Sequence, residues 1–218
     1  MAFTGRDLIA SRCAKFFKDG DFVILGIGVP LMCVDHIPDG VDIWLENELG
    51  VVGCSPTLEV EQWDIDLFDA GGNPASIIPG GCVVSHDTSF GFIRGGHIDA
   101  AVLGALQVDQ EGSLANWMIP GKLFVGMGGA MDICSGVKRV IVTTDHCDKH
   151  GASKIVKHCA LPLTGAHCVS DIITERCYFE VTSAGLVLRE LAPGYTVEDI
   201  RACTDADFIV PEHIGVME

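Results

Sequence analysis

A strand–helix–strand unit near the N-terminus constrains the fold of this chain more than any other sequence feature. Residues 22–25 (FVIL) form a short apolar run, typical of a strand that is buried on both faces, and the run leads directly into Gly26. Pro30 then opens a predicted short helix, at the first helical position that proline favours. The next strand alternates apolar and polar residues from Val41 and ends near Glu48. Such a unit predicts an α/β fold with parallel strands.

The same alternation of helices and strands continues along the chain. A helix precedes the first strand, further strands and helices follow, and we place them at residues 6–17 (helix), 100–103 and 139–144 (buried strands), near 129 (helix start), 178–191 (hairpin) and 197–202 (helix). We therefore expect an open, largely parallel sheet covered by helices, with a C-terminal β-hairpin. At 218 residues the chain suits one domain over residues 1–218. The Gly- and Pro-rich stretch 55–81 is predicted to be irregular and to fold over the site.

Residues 44–53 (WLENELGVVG) place Glu48 where a predicted strand ends and the chain turns at Gly50 and again at Gly53. Open α/β sheets carry their chemistry at such strand ends. A glutamate in this position is more often solvated or cap-forming than catalytic, but a carboxylate there can also be a covalent nucleophile. The segment alone leaves both interpretations open.

Composition and charge exclude several classes of function. The formal net charge of −16 argues against nucleic acid as a partner, because phosphates need a basic surface. No apolar stretch approaches the roughly 18 to 20 residues that span a bilayer, and the first 14 residues lack a signal-peptide core. The ten cysteines are scattered without a C-x-x-C pair, which fits a reducing compartment. We predict a cytoplasmic protein without a membrane contact.

One local cluster contains residue types that bind metals. Residues 146–150 (HCDKH), with His158 and Cys159 nearby, hold histidines, cysteines and an aspartate. Their spacing matches no standard ligand pattern. We therefore expect no metal site.

Four further segments join Glu48 in a recognisable pattern: residues 25–30 (LGIGVP), 93–99 (IRGGHID), 116–122 (NWMIPGK) and 126–132 (GMGGAMD). Together they resemble the catalytic, beta-type subunit of family I acid CoA-transferases, the acetoacetate, butyrate, acetate and succinyl-CoA:3-oxoacid group. The resemblance runs over nearly the whole chain. It implies transfer of coenzyme A between an acyl-CoA and a free short-chain carboxylic acid, through a covalent glutamyl-CoA thioester.

The resemblance implies that Glu48 is the nucleophile. The family pattern Ser-Glu-Asn-Gly, followed by two apolar residues and Gly, aligns its glutamate with Glu48, whereas Glu46 falls two residues early and is the alternative. The flanking family residues Ser and Asn correspond to Asn47 and Leu49, and a family Asn before the Leu-Gly-Ile-Gly segment corresponds to Ile24. Two amides of the family pattern are thus replaced by aliphatic side chains, at Leu49 and Ile24. Because buried amides serve to bind polar groups, we expect an apolar acyl substrate.

Other site residues follow from the same resemblance. It places a backbone-amide donor for the reaction's oxyanion at Gly129, within a glycine-rich segment that includes Gly128 and Ala130. Turn glycines Gly26 and Gly28 are candidate substrate contacts. Coenzyme A is a polyanion, and the glycine-flanked cations Arg94 and Lys122 are candidates to bind it. No tightly bound cofactor is expected.

The resemblance also implies a partner, because the family works as two different chains or two fused halves. We expect an alpha-type subunit in an alpha2-beta2 assembly. Two other functions stay open at this point. One is an acyl-CoA hydrolase on the same scaffold, and the other is a non-catalytic CoA-binding subunit, which the departures at Asn47 and Leu49 make conceivable.

Overall fold

The computed structural model describes residues 3–55, 64, 66–69 and 71–218. Within these residues the α-helices are α1 (Gly5–Ala14), α2 (Val29–Met32), α3 (His86–Arg94), α4 (Ala130–Gly136) and α5 (Val197–Cys203), and a 3₁₀ turn at Cys33–His36 continues α2. The strands are β1 (Phe22–Leu25), β2 (Trp44–Asn47), β3 (Val51–Ser55), β4 (Ser76–Val83), β5 (Ala100–Leu103), β6 (Gln107–Asp109), β7 (Leu114–Ala115), β8 (Met118–Ile119), β9 (Leu123–Phe124), β10 (Val140–Thr143), β11 (Ile155–Val156), β12 (Val169–Ile173), β13 (Cys177–Thr182), β14 (Gly185–Leu191), β15 (Phe208–Ile209) and β16 (Gly215–Val216).

The main sheet has the strand order β15-β14-β13-β12-β10-β5-β1-β2-β3-β4, and β16 also pairs with β14. Its centre is parallel, since β2, β1, β5, β10 and β12 run in one direction. In register, Val23 of β1 lies between Leu45 of β2 and Ala100 of β5. Antiparallel pairs follow on both sides, β2–β3 and β3–β4 on one and β12–β13 and β13–β14 on the other, and the outer strands β15 and β16 pair parallel with β14. The predicted α/β sheet is confirmed.

Helices cover both faces of the sheet because the central strands are apolar on both sides. Along β1, Ile24 packs into one core cluster with residues of α3, α4 and α5, whereas Val23 and Leu25 pack into a second cluster with α1. The same division separates Ala101 from Val102 on β5. Each cluster therefore lies between the sheet and one helical layer, and the strands are fixed in register by burial of both faces.

The predicted C-terminal hairpin is confirmed as β13 and β14, which pair from Thr182↔Gly185 to Cys177↔Leu191. Two predictions near β3 are wrong. Gly53 lies inside β3 rather than in a turn, at a register shift between Val52 and Cys54. This bulge requires a φ of 75°, which glycine adopts easily. The stretch 55–81, predicted to be irregular, contains the first residues of strand β4; part of it lies outside the described residues.

The ten cysteines are all free thiols, and five of them are buried: Cys13, Cys33, Cys54, Cys134 and Cys177. They pack as small apolar residues in the core. Within the described ranges, no helix is long and apolar enough to cross a membrane.

Candidate active site

The carboxyl ends of the parallel strands β1, β5 and β2 meet at one edge of the sheet. There the chain leaves β1 at Gly26, leaves β5 at Gly104 and leaves β2 at Glu48. These ends enclose a cleft of about 450 Å³, lined by Ile24, Leu25, Gly26, Ile27, Glu48, Leu103, Gly104, Ala105, Leu106, Asn116, Val125, Gly126, Met127, Ala130 and Ile133. A cleft at the carboxyl end of a parallel sheet is the usual binding place in this class of fold.

A tight turn holds Glu48 at the end of β2. Gly50 closes this turn, donating its amide to the Asn47 carbonyl (2.9 Å) and accepting the Val84 amide on its own carbonyl (2.8 Å). Its φ is 104°, and a Cβ at this position would lie 2.3 Å from the Val84 carbonyl oxygen. Only glycine therefore fits, and the turn directs Glu48 into the cleft.

The carboxyl group of Glu48 lies against the start of α4. A Cβ placed on Gly129, the residue that precedes this helix, would be 3.4 Å from Glu48 Cδ, and one placed on Gly128 would be 3.9 Å from Glu48 Oε1. Burial raises the pKa of Glu48, and the backbone amides of Glu48 and Gly129 and the charge of His86 partly offset this rise. Two backbone amides thus act on a half-buried carboxyl group and favour its anion.

Glu46 occupies a different environment, although it lies on the same strand. Its side chain is 3 % exposed and does not line the cleft. One carboxyl oxygen accepts a hydrogen bond from the hydroxyl of Ser89 on α3. Of the two glutamates, Glu48 alone is placed in the cleft, which favours it over the alternative nucleophile.

The structure brings some of the predicted substrate contacts together and leaves others outside. Ile24, Gly26 and Ala130 line the cleft together with Glu48. Residues Gly28, Asn47 and Leu49 do not line it. Gly28 is exposed at the start of α2, and Leu49 is 53 % exposed on the turn.

The side-chain amide of Asn47 makes its hydrogen bonds within the protein. Its side-chain oxygen accepts the Val51 amide (3.0 Å), and its side-chain nitrogen donates to the Phe68 carbonyl (3.2 Å). The side-chain oxygen therefore fixes the connection from β2 to β3, and the side-chain nitrogen ties it to the segment between β3 and β4. This contact positions the turn that carries Glu48 and leaves no free end for a substrate.

The two predicted cations, Arg94 and Lys122, lie outside the lining of the cleft. Arg94 ends α3, donates to Asp132 of α4 (2.7 Å) and stacks over the Phe90 ring at 5.2 Å. It thereby ties α3 to α4. Lys122 is exposed in the turn between β8 and β9. Their contact with coenzyme A stays a prediction.

Asn116 is a lining residue that sequence reasoning did not single out, although the segment 116–122 was recognised. Its amide nitrogen donates to the Gly104 carbonyl (3.1 Å), and its amide oxygen accepts from the Thr164 hydroxyl (2.6 Å). Apart from Glu48, it is the cleft's only lining residue with a polar side chain among those described. The position of Asn116 at the start of a recognised segment was the signal available in the sequence.

Of the histidine and cysteine cluster around residue 146, only His146 lies in the core, whereas His150 and His158 are exposed. His146 is fully buried, and its ring nitrogens contact the hydroxyls of Thr174 (3.0 Å) and Thr204 (2.9 Å). Burial and the nearby charge of Arg176 lower its pKa to about 4. In the part of the chain that the structure describes, no three His, Cys, Asp or Glu side chains converge as metal ligands.

The exposed surface around the cleft mouth is apolar. Ile27, Val125 and Met127 line the cleft and are 68, 65 and 39 % exposed, and the neighbouring Leu49 and Phe124 are 53 and 74 % exposed. We call these five residues the apolar rim. Large exposed apolar patches of this kind mark interaction surfaces.

Comparison with known proteins places the chain in a family. A family model described as coenzyme A transferase matches residues 6–202. The acetate CoA-transferase subunit beta of Haemophilus influenzae is 47 % identical over 98 % of this chain and 95 % of its own length. The human mitochondrial succinyl-CoA:3-ketoacid coenzyme A transferase 2 is 45 % identical over 98 % of this chain, which corresponds to 42 % of that longer protein.

A solved structure supports the fold independently. The acyl-CoA transferase YdiF of Escherichia coli O157:H7, in a thioester complex with CoA, superposes with a TM-score of 0.75. It is 21 % identical, and the match covers all of this chain and 44 % of that one. By sequence and by fold, the chain belongs to the coenzyme A transferase family, among its beta-type subunits.

Proposed function

We propose that this chain is the subunit that carries the nucleophile of a short-chain acyl-CoA:carboxylate CoA-transferase, with Glu48 as that nucleophile. The observation that carries the proposal is the half-buried Glu48 carboxyl group in an apolar cleft, against the backbone of Gly128 and Gly129. A glutamate is ionised at neutral pH without a separate base, so few residues are needed.

The reaction proceeds by exchange of acyl and CoA groups on Glu48. Its carboxylate attacks the thioester carbonyl of the acyl-CoA, which gives an acyl-glutamyl anhydride and releases the CoA thiolate. The thiolate then attacks the glutamyl carbonyl, forms a glutamyl-CoA thioester and releases the first acid as its carboxylate. A second carboxylate reverses these steps and leaves as the new acyl-CoA. No step consumes water or a net proton.

The protein must stabilise the charge that develops on the carbonyl oxygen, because a carboxylate is a weak nucleophile. The Gly129 backbone amide is the proposed donor, since it acts on the Glu48 carboxyl group and no side chain separates the two. Removal of one such donor typically costs about 2.7 to 4 kcal/mol of transition-state stabilisation. Binding of the remote part of coenzyme A supplies the energy that brings the reacting atoms together.

The lining of the cleft favours an apolar acyl group. Ile24 stands where the family pattern has an amide, and the described lining residues include no Arg, Lys or His. A second carboxylate, as in a succinyl group, would be buried there without a cation from this chain, at a high energetic cost. We therefore expect butyryl-CoA to be preferred over succinyl-CoA, and a preference for succinyl-CoA in the assembled enzyme would contradict this.

An alpha-type subunit is the proposed partner, and an alpha2-beta2 complex the proposed assembly. The relatives named as beta subunits match this chain over nearly their full length, and the apolar rim at the cleft mouth provides a surface for a second chain to cover. The expected consequence is that the beta chain alone shows little activity. Light scattering of the co-expressed chains measures the assembly directly.

Release of acid without an acceptor tests the reaction type. The assembled complex is mixed with excess butyryl-CoA, and free butyrate is measured over time. A transferase releases about one butyrate per Glu48 and then stops until acetate is added. Continued release without acetate would show a hydrolase instead, and full activity of a Glu48→Ala complex would show that this residue is not the nucleophile.

A further inference from the structure

A second carboxyl group is buried directly behind the proposed nucleophile. Glu46 lies on β2 and Glu48 follows the end of this strand, close enough for the charge of Glu48 to act on Glu46. Glu46 contacts Ser89 of α3. Glu48 lies beside Gly129, where an added methyl group would also touch Phe90 of α3. The two carboxyl groups thus share one space between the sheet and α3.

The surroundings of Glu46 suit a neutral acid better than an anion. The side chain is 3 % exposed, and Ser89, which donates to its Oε1, is fully buried. Among the described residues, Oε2 of Glu46 is buried and has no hydrogen-bond partner. A buried carboxylate with one unsatisfied oxygen is costly, and the protonated form removes most of this cost.

Few other charges act on the pair. Glu48 is the charged group that acts on Glu46, α3 presents the His86 ring to Glu48, and β3 places apolar Val52 opposite Glu46. Burial raises the pKa of Glu46 to about 7; the Ser89 hydrogen bond opposes this rise, and the charge of Glu48 adds to it. When two carboxyl groups share a site, one of them holds the proton.

We propose that Glu46 is a positioning residue that holds the proton of this pair, keeps Glu48 free to react as an anion, and releases the proton when Glu48 becomes a neutral thioester. The inference rests on the proposed role of Glu48. In the balanced step, the negative charge of Glu48 leaves with the departing carboxylate, and Glu46 gives its proton to solvent in those molecules in which it was protonated. Glu46 takes the proton back when the acceptor acid restores the Glu48 anion.

Proton release during the first half-reaction tests this proposal. The assembled complex is mixed in weak buffer with a pH indicator and limiting butyryl-CoA, without acceptor acid, and the glutamyl-CoA thioester is measured in parallel after an acid quench. We expect a fraction of one proton released per thioester, with the largest release below pH 7, between the pKa of about 7 beside the Glu48 anion and the lower pKa beside the neutral thioester. Addition of acetate should reverse the release, which separates it from hydrolysis.

Three variants make the test specific. Glu46→Gln cannot ionise and is expected to form the thioester without releasing a proton. Ser89→Ala removes the donor that stabilises the Glu46 anion, so the pH of largest release should rise. Glu198→Gln makes the same chemical change on the exposed start of α5 and should behave as the unmodified enzyme.

The outcomes separate this inference from the proposed function. Thioester formation without proton release, or equal release in Glu46→Gln, would overturn the role of Glu46 and leave Glu48 in place. Absence of any thioester in the quenched sample would overturn both. If Glu46→Gln does not fold, the direction of the shift in Ser89→Ala decides the question, and an unchanged pH of largest release there would contradict the proposal.

Discussion

A methyl group at Gly129 should slow the reaction without harming the fold. The backbone of Gly129 has φ −80° and ψ −3°, which alanine adopts without strain. The new Cβ would lie 3.0 Å from Phe90 Cζ and 3.4 Å from Glu48 Cδ, whereas carbon atoms in good contact are about 3.5 to 4.0 Å apart. The Phe90 ring must therefore shift, and the new methyl group holds the Glu48 carboxyl group at the limit of ordinary contact, where it cannot move closer to the Gly129 amide.

The size of the effect follows from how much of the amide contact is lost. Complete removal of an oxyanion donor costs about 2.7 to 4 kcal/mol. In Gly129→Ala the amide is retained but the carboxyl group approaches it less closely, so we expect a loss of about 1.4 to 2.7 kcal/mol, which corresponds to a 10- to 100-fold lower kcat. The KM values should change little, because the contact matters most in the transition state. Initial rates of the assembled complex measure both quantities.

Two further variants decide whether the reasoning is correct. Gly91→Ala makes the same change on α3 at a position with no atom within 4 Å of the new methyl group, and it should keep full kcat while stabilising the helix by about 0.5 to 1 kcal/mol. Adding Phe90→Leu to Gly129→Ala relieves the contact with the ring only. Full kcat in Gly129→Ala, or full recovery in the double variant, would refute the proposed contact with Glu48.

The remaining predictions concern stability, measured by urea unfolding. Tyr178→Phe removes a 2.7 Å hydrogen bond to the buried Asp171 carboxylate and should lower the free energy of unfolding by about 1.5 to 3 kcal/mol, whereas no loss would show that Arg139 suffices. Burial lowers the pKa of His146 to about 4, so below about pH 6.5 the unfolded chain binds a proton on this histidine and the folded chain does not. The free energy of unfolding should therefore fall towards pH 4 by up to about 1.4 kcal/mol per pH unit, and less steeply in His146→Gln. The raised pKa of Glu46, about 7, has the opposite effect on stability, because the stabilisation from its bound proton is lost as the pH rises from about 4.5 to 7. The stability of Glu46→Gln relative to the unmodified chain should therefore increase over that range, and a constant difference would contradict this expectation.

The central sheet could be predicted from the sequence because its strands are apolar on both faces. The runs that became β1, β5 and β10 have no alternating pattern, which is typical of parallel strands covered by helices. Strand β4 could not be predicted in the same way, since it contains Pro79, Gly80 and Gly81. At the edge of a sheet such residues are tolerated, because one side of the strand has no neighbour to bond.

The candidate site was only partly predictable. The glycine spacing around Gly50 placed Glu48 at a strand end, and the structure puts its side chain in the cleft. The burial of Glu46 against Ser89 depends on how α3 packs on the sheet, and nothing in the local sequence around either residue indicates it. Asn47 illustrates the converse, because a residue that aligns with a family site position here supports the turn instead.

Mass spectrometry of the trapped intermediate tests whether Glu48 is the nucleophile. The assembled complex is incubated with butyryl-CoA, treated with borohydride to convert a glutamyl thioester into a stable alcohol, digested, and analysed for the peptide that contains β2. We expect a reduced residue at position 48, and no such product in Glu48→Gln. Modification at Glu46, or an unmodified peptide from a complex that turns over, would contradict it.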